Sequence, residues 1–408
     1  MMKTYHTDLW KTFRDDPRLI LFGLLATFFT GPGQSYLISF FLPGIQSDLR
    51  LSSSQVGDLY FVATLGGSLV LPLIGRLMDR SDLGRLSLLM GFFLAFGCVL
   101  MSLAVEVWGL VAGLLLIRCF GQGALSVISS TAVARRFGQN RGKALSLVTQ
   151  GYPLAEVILP IIISTWLIYY DWRSGWVLLA AMILVFYMPA SFFLLKPVKG
   201  RALPQAPKME LAAKVWTMQR ILLDYRFYFA MASALVLPGA LTGLFFYQVE
   251  IALAKSWDIR VMATAFIFFG VSRSLLGLSI GHAIDRWTGR SLLGFVGIPF
   301  LLGLIVLRFG EMEWTAYCFL FLAGVSVGAG GNARTAFWAE AYGVKHLGAL
   351  RGLIAFLMVL STAVSTPIFG RLLDWGTPID RIVEFVIALS LLGVIFGFIS
   401  SILYRPAS

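Results

Sequence analysis

Residues 75–85 read Gly-Arg-Leu-Met-Asp-Arg-Ser-Asp-Leu-Gly-Arg, and residues 281–290 read Gly-His-Ala-Ile-Asp-Arg-Trp-Thr-Gly-Arg. Both place Gly-x-x-x-Asp-Arg ahead of a Gly-Arg: Gly75, Asp79, Arg80, Gly84 and Arg85 in the first, Gly281, Asp285, Arg286, Gly289 and Arg290 in the second. The two copies stand about half the chain apart. Two further pairs of signals keep the same order. Phe137-Gly138 with Arg141-Gly142 corresponds to Tyr342-Gly343 with Arg351-Gly352, and Pro160 leading to Asp171-Trp172 corresponds to Pro367 leading to Asp374-Trp375. Three matched signals in one order mark an internal duplication.

Working outward, each copy follows an apolar run. With 58% hydrophobic and 13% charged residues in 408, the chain has too little polar surface for a water-soluble globule, which excludes a soluble enzyme. Charge clusters and Gly/Pro breaks divide it into spans near 19–42, 55–77, 86–104, 108–131, 144–169, 174–195, 227–250, 261–283, 291–308, 315–336, 352–373 and 382–403. Each has the ~20 residues a membrane-crossing helix needs. An even number puts both termini on one side. That side carries 23 Lys/Arg against 7 on the other, with three well inside spans and those at span edges counted with the adjoining loop, so the positive-inside rule makes it cytoplasmic. The net charge of +12 therefore sets orientation and does not indicate nucleic acid.

The expected organisation is a cytoplasmic tail (1–18), a six-helix bundle (19–195), a cytoplasmic linker (196–226), a second six-helix bundle (227–403) and a cytoplasmic tail (404–408). The first span, behind Lys3, Lys11, Arg14 and Arg18, is too long and too late for a cleaved signal peptide. The linker holds seven Lys/Arg with Pro197, Pro204 and Pro207. Within it, Lys208 to Arg220 carries Leu211, Val215 and Trp216 at helical spacing, and reads either as a basic amphipathic segment on the inner membrane surface or as a solvated connection.

Two six-span halves, a basic joining loop and the repeated Gly-x-x-x-Asp-Arg before Gly-Arg resemble the major facilitator superfamily of secondary transporters. The resemblance covers the whole chain. It implies an all-α membrane protein of twelve transmembrane helices in two pseudo-symmetric six-helix bundles, a monomer working by alternating access with its substrate site near the membrane midplane. It also implies an inner gate built from Asp79, Arg80, Arg85, Asp285, Arg286 and Arg290. The spacer from Asp-Arg to Gly-Arg is longer than the family's single residue in both copies. A narrower likeness lies in Arg118-Cys119-Phe120-Gly121-Gln122-Gly123-Ala124, Phe137, Arg141-Gly142-Lys143-Ala144, Gly151 and Asp171-Trp172-Arg173. These are similar to the bacterial branch of monocarboxylate transporters and oxalate/formate exchangers. That likeness implies that Arg273, on span 8, contacts an anionic substrate. The branch's acidic residue one turn earlier is Phe269 here, and no Lys or Arg lies between Gly352 and Gly370 on span 11. Arg118 resembles the span 4 arginine of proton-coupled members.

An ionisable side chain at membrane depth costs about 2.5–3.5 kcal/mol on insertion scales, so each is a functional candidate. Four qualify: Arg118, Glu156, Arg273 and Arg334. The Arg273 guanidinium can hold a carboxylate bidentately, or pair across the bundle as a structural arginine. Glu156 shares span 5 with Gln150, Gly151, Pro153 and Pro160. Burial raises a carboxyl pKa and an arginine lowers it, so a Glu156 that meets and leaves Arg118 could carry a proton, while a permanent Glu156–Arg118 bridge would only brace the bundle. Arg334, with Glu340 further along the same span, reads as a gate or structural bridge. Gln34 and Tyr36 beside Gly31-Pro32-Gly33, Gln150, and Tyr247 and Gln248 after Pro238-Gly239 are the candidate substrate contacts.

Cys98, Cys119 and Cys318 lie in apolar spans without CxxC spacing, and His6, His282 and His346 sit apart from them, so neither a disulfide nor a metal set is expected. No cofactor and no enzymatic constellation is expected. The expected function is secondary active transport of a small, monocarboxylate-like organic anion across the inner membrane, by proton coupling or exchange. The partners are that solute, protons and the lipid bilayer. One alternative is a proton-driven efflux pump for drugs or hydrophobic metabolites, suggested by 33 Phe and 13 Met. The other is a non-transporting sensor or assembly factor on a transporter fold.

Overall fold

The computed structural model describes residues 2–195, 218–342 and 347–404. The linker stretch from Lys208 to Thr217, Gly343, His346 and the residues after Tyr404 lie outside the described residues. Every regular element among the described residues is helical.

The chain opens on α1 (Met2–Asp15), so the expected polar tail is itself a helix. Asp16 then caps α2 (Pro17–Phe28): its carboxylate accepts from Leu19 N at 3.1 Å, and Pro17 supplies the preset φ that suits a first helical position. The span expected over 19–42 is not one helix. Gly31-Pro32-Gly33 forms a 3-10 turn, followed by the short α3 (Ser35–Ile38) and α4 (Leu42–Leu49). Proline removes a backbone donor and two glycines lower the cost of leaving α geometry, so the break falls where helix propensity is weakest.

α5 (Ser53–Arg80) and α6 (Leu83–Leu103) follow, the latter capped by Asp82. α7 (Val107–Leu116) passes through a π-helical stretch, Ile117–Leu125, into α8 (Ser126–Phe137). α9 (Arg141–Val148) and α10 (Gly151–Tyr169) are separated at Thr149-Gln150, and α11 (Trp172–Met182) continues through a second π stretch into α12 (Met188–Leu194). The later elements are α13 (Met218–Leu223), α14 (Tyr225–Phe246), α15 (Gln248–Ala254), α16 (Ile259–Leu292), α17 (Ile298–Phe309), α18 (Trp314–Tyr342), α19 (Leu347–Asp374) and α20 (Ile379–Leu403). α16 is interrupted at Thr288, whose φ of 67° is left-handed.

Among the described residues, ten helices are long and apolar enough to cross a membrane. Arg286–Leu292 with Phe295–Phe309, bent by 72°, makes an eleventh if taken as one span. At 12 residues, α2 alone is too short. Two compact units result: Met1–Leu51 with Val62–Lys208, and Ser52–Phe61 with Met209–Ser408. Leu69, Phe186 and Phe193 are exposed, the pattern of helix sides that face lipid.

In the first unit, Phe41 stacks on Trp176 with ring centroids 4.3 Å apart. Nearby, Asp48 accepts from Trp172 Nε1 at 2.9 Å and pairs with Arg173. Hydrogen bonds from Trp172 and then Arg173 hold the Asp48 carboxyl below the usual carboxylate range. A depressed native pKa contributes stability above the unfolded value of about 3.9 and loses it as pH falls through the native value. Asp48→Asn is therefore expected to lower the melting temperature at neutral pH and to match the unsubstituted protein once Asp48 is protonated, as thermal melts across pH would show.

In the second unit, Phe227, Phe337, Trp338, Tyr342 and Leu350 form a buried cluster. Elsewhere in the unit, α16 and α18 meet at Gly324 and Gly328 with almost no side-chain layer between them. A Cβ on Gly324 would lie 2.1 Å from Ser272 Oγ and 2.4 Å from Phe269 O, and one on Gly328 would lie 2.4 Å from Arg273 O. Small residues four apart let two helix backbones touch, which is how helices pack in lipid without a hydrophobic drive.

Candidate functional site

The first unit gathers its candidates around the break in the first span. Arg118 is 3% exposed and sits on the π-helical stretch. Its Nη1 donates to Gly33 O at 2.6 Å and its Nε to Thr64 Oγ1 at 2.9 Å. The two backbones approach closely: a Cβ on Gly33 would come within 2.3 Å of Ile117 O and 2.7 Å of Gln122 N, and one on Gly121 within 3.1 Å of Gly33 N. Glycine on both sides is what allows the guanidinium to reach a main-chain carbonyl.

Glu156 is 6% exposed on α10, which also packs on the Gly31–Gly33 turn. The start of α10 is pressed against α2: a Cβ on Gly151 would meet Leu24 O and Thr27 Oγ1 at 2.1 Å each, and Thr27 Oγ1 donates to Val148 O at 2.7 Å. The π stretch bearing Arg118 and the helix bearing Glu156 thus share one neighbour. Tyr36 is buried and Gln34 half-buried beside the same turn, and a Cβ on Gly31 would stand 3.1 Å from Tyr36 Oη. Gln150 lies at the α9–α10 break, where its Nε2 donates to Ser146 O at 3.0 Å.

In the second unit Arg273 is half-buried on α16, the one charged residue in the sequence between Arg260 and Asp285. Its backbone is fixed against Gly328, and its neighbour Ser272 donates across to Phe321 O at 2.9 Å. Phe269, where the resembling branch has an acid, is buried in an aromatic cluster with Phe245 and Phe266, at centroid distances of 5.2 and 5.7 Å. The Gly324-x-x-x-Gly328 spacing that sets this geometry is itself visible in the sequence.

Tyr247 is 2% exposed, and its hydroxyl reaches Ser53 O at 2.8 Å and Thr366 O at 3.0 Å, enclosed by Gly57 and Gly370. Gln248 beside it is fully buried. The same corner contains contacts that the sequence does not announce. Both Asp374 carboxylate oxygens accept from the α5 amides, Ser53 N and Ser54 N, at 3.0 Å each, and Asp58 pairs with Arg371 at 3.0 Å. Asp374 acts as an N-cap supplied from another helix.

Of the expected gate residues, Asp79, Arg80 and Asp285 stand on helical backbone, and their side chains lie outside the described residues. Arg85 is exposed, its amide donating to the Asp82 cap at 2.9 Å. Arg286 lies 5.6 Å over the Trp287 ring. Arg290 and Glu340 are brought together: Glu340 accepts from Gly289 N at 2.7 Å and Arg290 N at 3.0 Å, while Arg290 Nη1 donates to Tyr404 O at 3.0 Å. Glu340 thus caps the helix that restarts after Thr288. Among the described residues no Arg334–Glu340 bridge forms. Six positions apart on one helix, the two side chains point to different faces, whereas neighbours stand three or four apart.

Numerous apolar spans, the first of them broken, with buried ionisable groups beside the break, define a multi-pass membrane protein of transporter type. The chain belongs to the Major Facilitator Superfamily, which it matches over residues 23–366. Among solved structures it is similar to a bacterial homolog of the human lysosomal transporter Spinster, in an inward-facing and unoccupied conformation. The TM-score is 0.69 at 12% identity, covering 95% of this chain and 98% of that one, a likeness of fold. No curated protein sequence matches. Family membership makes the protein a transporter and not an enzyme.

Proposed function

We propose that the protein is a secondary active transporter that moves a small, monocarboxylate-like organic anion across the inner membrane by alternating access, with both termini cytoplasmic. The observation that carries the reading is Arg273. It places a guanidinium at mid-span, on a stretch of α16 with no other Asp, Glu, Lys or Arg between Arg260 and Asp285, and the helix backbone there is clamped by Gly328. A guanidinium there offers a planar fork matched to a carboxylate. Gln34, Tyr36, Gln150 and Gln248 are the neutral polar groups assigned to the solute, while Tyr247, its hydroxyl held by Ser53 O and Thr366 O, supports the corner beside Gln248. Buried Glu156 is the proton carrier, by coupling or exchange, with Arg118 as the neighbouring charge that tunes it. Asp79, Arg80, Arg85, Asp285, Arg286 and Arg290 form the inner gate, with Glu340 holding the second copy of the motif.

The test is thermal stabilisation of the detergent-purified protein over a panel of small carboxylates, neutral metabolites and lipophilic cations, beside Arg273→Ala, followed by flux in liposomes. A ligand that binds the folded state raises apparent stability by mass action. Stabilisation by one carboxylate family, lost in Arg273→Ala, is the expected result. Stabilisation by lipophilic compounds alone, unchanged in that variant, would overturn the anion reading in favour of efflux.

A further inference from the structure

Arg334 is the charge within the spans that the transport reading leaves unused. It is half-buried on α18 and lines a cavity of about 30 Å³ inside the second unit, walled by α14, the turn before α17, α18 and α20. Among the described residues no carboxylate pairs with its guanidinium, no hydrogen bond reaches it, and no acid lines the cavity. The guanidinium lies across its own helix at Gly330, where a Cβ would stand 2.7 Å from Nη1 and 3.2 Å from Cζ. Glycine there leaves the space that the charged head occupies.

A second group is turned to the same cavity. Ser390 on α20 is 4% exposed, lines the cavity, and its Oγ has no hydrogen-bond partner. Serines on helices ordinarily satisfy themselves by donating back to the preceding turn, as Ser400 does on this helix, to Phe396 O at 2.8 Å. Ser390 instead keeps a buried hydroxyl unsatisfied beside an unpaired guanidinium. A buried hydroxyl without a partner is costly, and a half-buried guanidinium has given up part of its hydration, so a partner of complementary charge is what this corner lacks.

We propose that the cavity binds a monatomic anion, chloride, between the Arg334 guanidinium and the Ser390 hydroxyl. Arginine presents donors only and the serine proton can rotate inward, so the two converge on an acceptor. Of the remaining walls, Ser233 on α14 adds one further hydroxyl, and the others, Phe300, Gly297 and Gly393 among them, offer no side-chain donor or acceptor. The volume suits a small ion: a water needs about 10–15 Å³ of such space, so the cavity has room for a halide. The site is independent of the transported solute and of Arg273.

The full-length purified protein should melt at a temperature that rises saturably with chloride when chloride replaces gluconate at constant ionic strength. Arg334→Gln should abolish the response, and Ser390→Ala should raise the chloride midpoint about tenfold, the loss expected for one hydrogen bond to a charged group. Crystals grown in bromide should show an anomalous peak within hydrogen-bond distance of both side chains. Equal melting in chloride and gluconate, a response retained in Arg334→Gln, or a bromide map without that peak would each overturn the proposal. If Arg334→Gln fails to fold, an unchanged midpoint in Ser390→Ala overturns it equally.

Discussion

Gly328→Ala is expected to destabilise the protein by about 3 kcal/mol, the upper part of the ordinary range for overpacking, and to abolish transport. The new methyl would lie 2.4 Å from Arg273 O and 3.0 Å from Arg273 Cα. These are main-chain atoms of a helix, so no rotamer change relieves the clash, and α16 must move away from α18. That motion breaks the Ser272–Phe321 hydrogen bond and carries Arg273 with it. Gly331→Ala on the same helix is the matched control, because a Cβ there meets nothing within 4 Å. Melting in detergent and liposome flux for the two variants make the comparison. A Gly328→Ala protein that melts and transports like Gly331→Ala would contradict the contact.

Arg118→Leu is expected to have the second largest effect. The substitution leaves Gly33 O without its 2.6 Å donor and Thr64 Oγ1 without its 2.9 Å donor, in a region where Arg118 itself is 3% exposed. Each buried group so orphaned costs about 1–3 kcal/mol, partly offset because a buried charge is also removed. Transport should fall to background, since the turn at Gly31–Gly33 is no longer tied to the π stretch. Arg118→Lys keeps the charge but not the fork, so it should recover part of the melting temperature and little of the flux. Equal melting of Arg118→Leu and the unsubstituted protein would remove Arg118 from the support of that turn.

The spans and their duplication were legible because an apolar run of membrane length is a local signal, and the Gly-x-x-x-Asp-Arg repeat recurs in register with it. The weak point in the first span was legible too, from Gly31-Pro32-Gly33. What that turn rests on was not, because the approach of Gly33 to Gly121 and Ile117 joins segments far apart in the chain. Asp374 shows the same limit. It was read only as a duplication signal, and its work as a cap on Ser53 and Ser54 becomes visible once the two helices are neighbours. Tyr247, read as a cavity residue, has its hydroxyl engaged by two main-chain carbonyls. The Arg334–Glu340 pairing failed for a local reason that helical geometry could have supplied, since a spacing of six turns the two side chains apart.

The bare contact of α16 with α18 has an electrical consequence. Two backbones locked through Gly324 and Gly328 behave as one beam, and that beam bears Arg273 on one member and Arg334 on the other. Any tilt that carries one guanidinium through the membrane field moves the other with it, so their gating charges share one mechanical coordinate. A full crossing is worth about 2.3 kcal/mol per charge per 100 mV. An anion on either arginine cancels its share, which ties the voltage sensitivity of this bundle to the occupancy of its two positive centres.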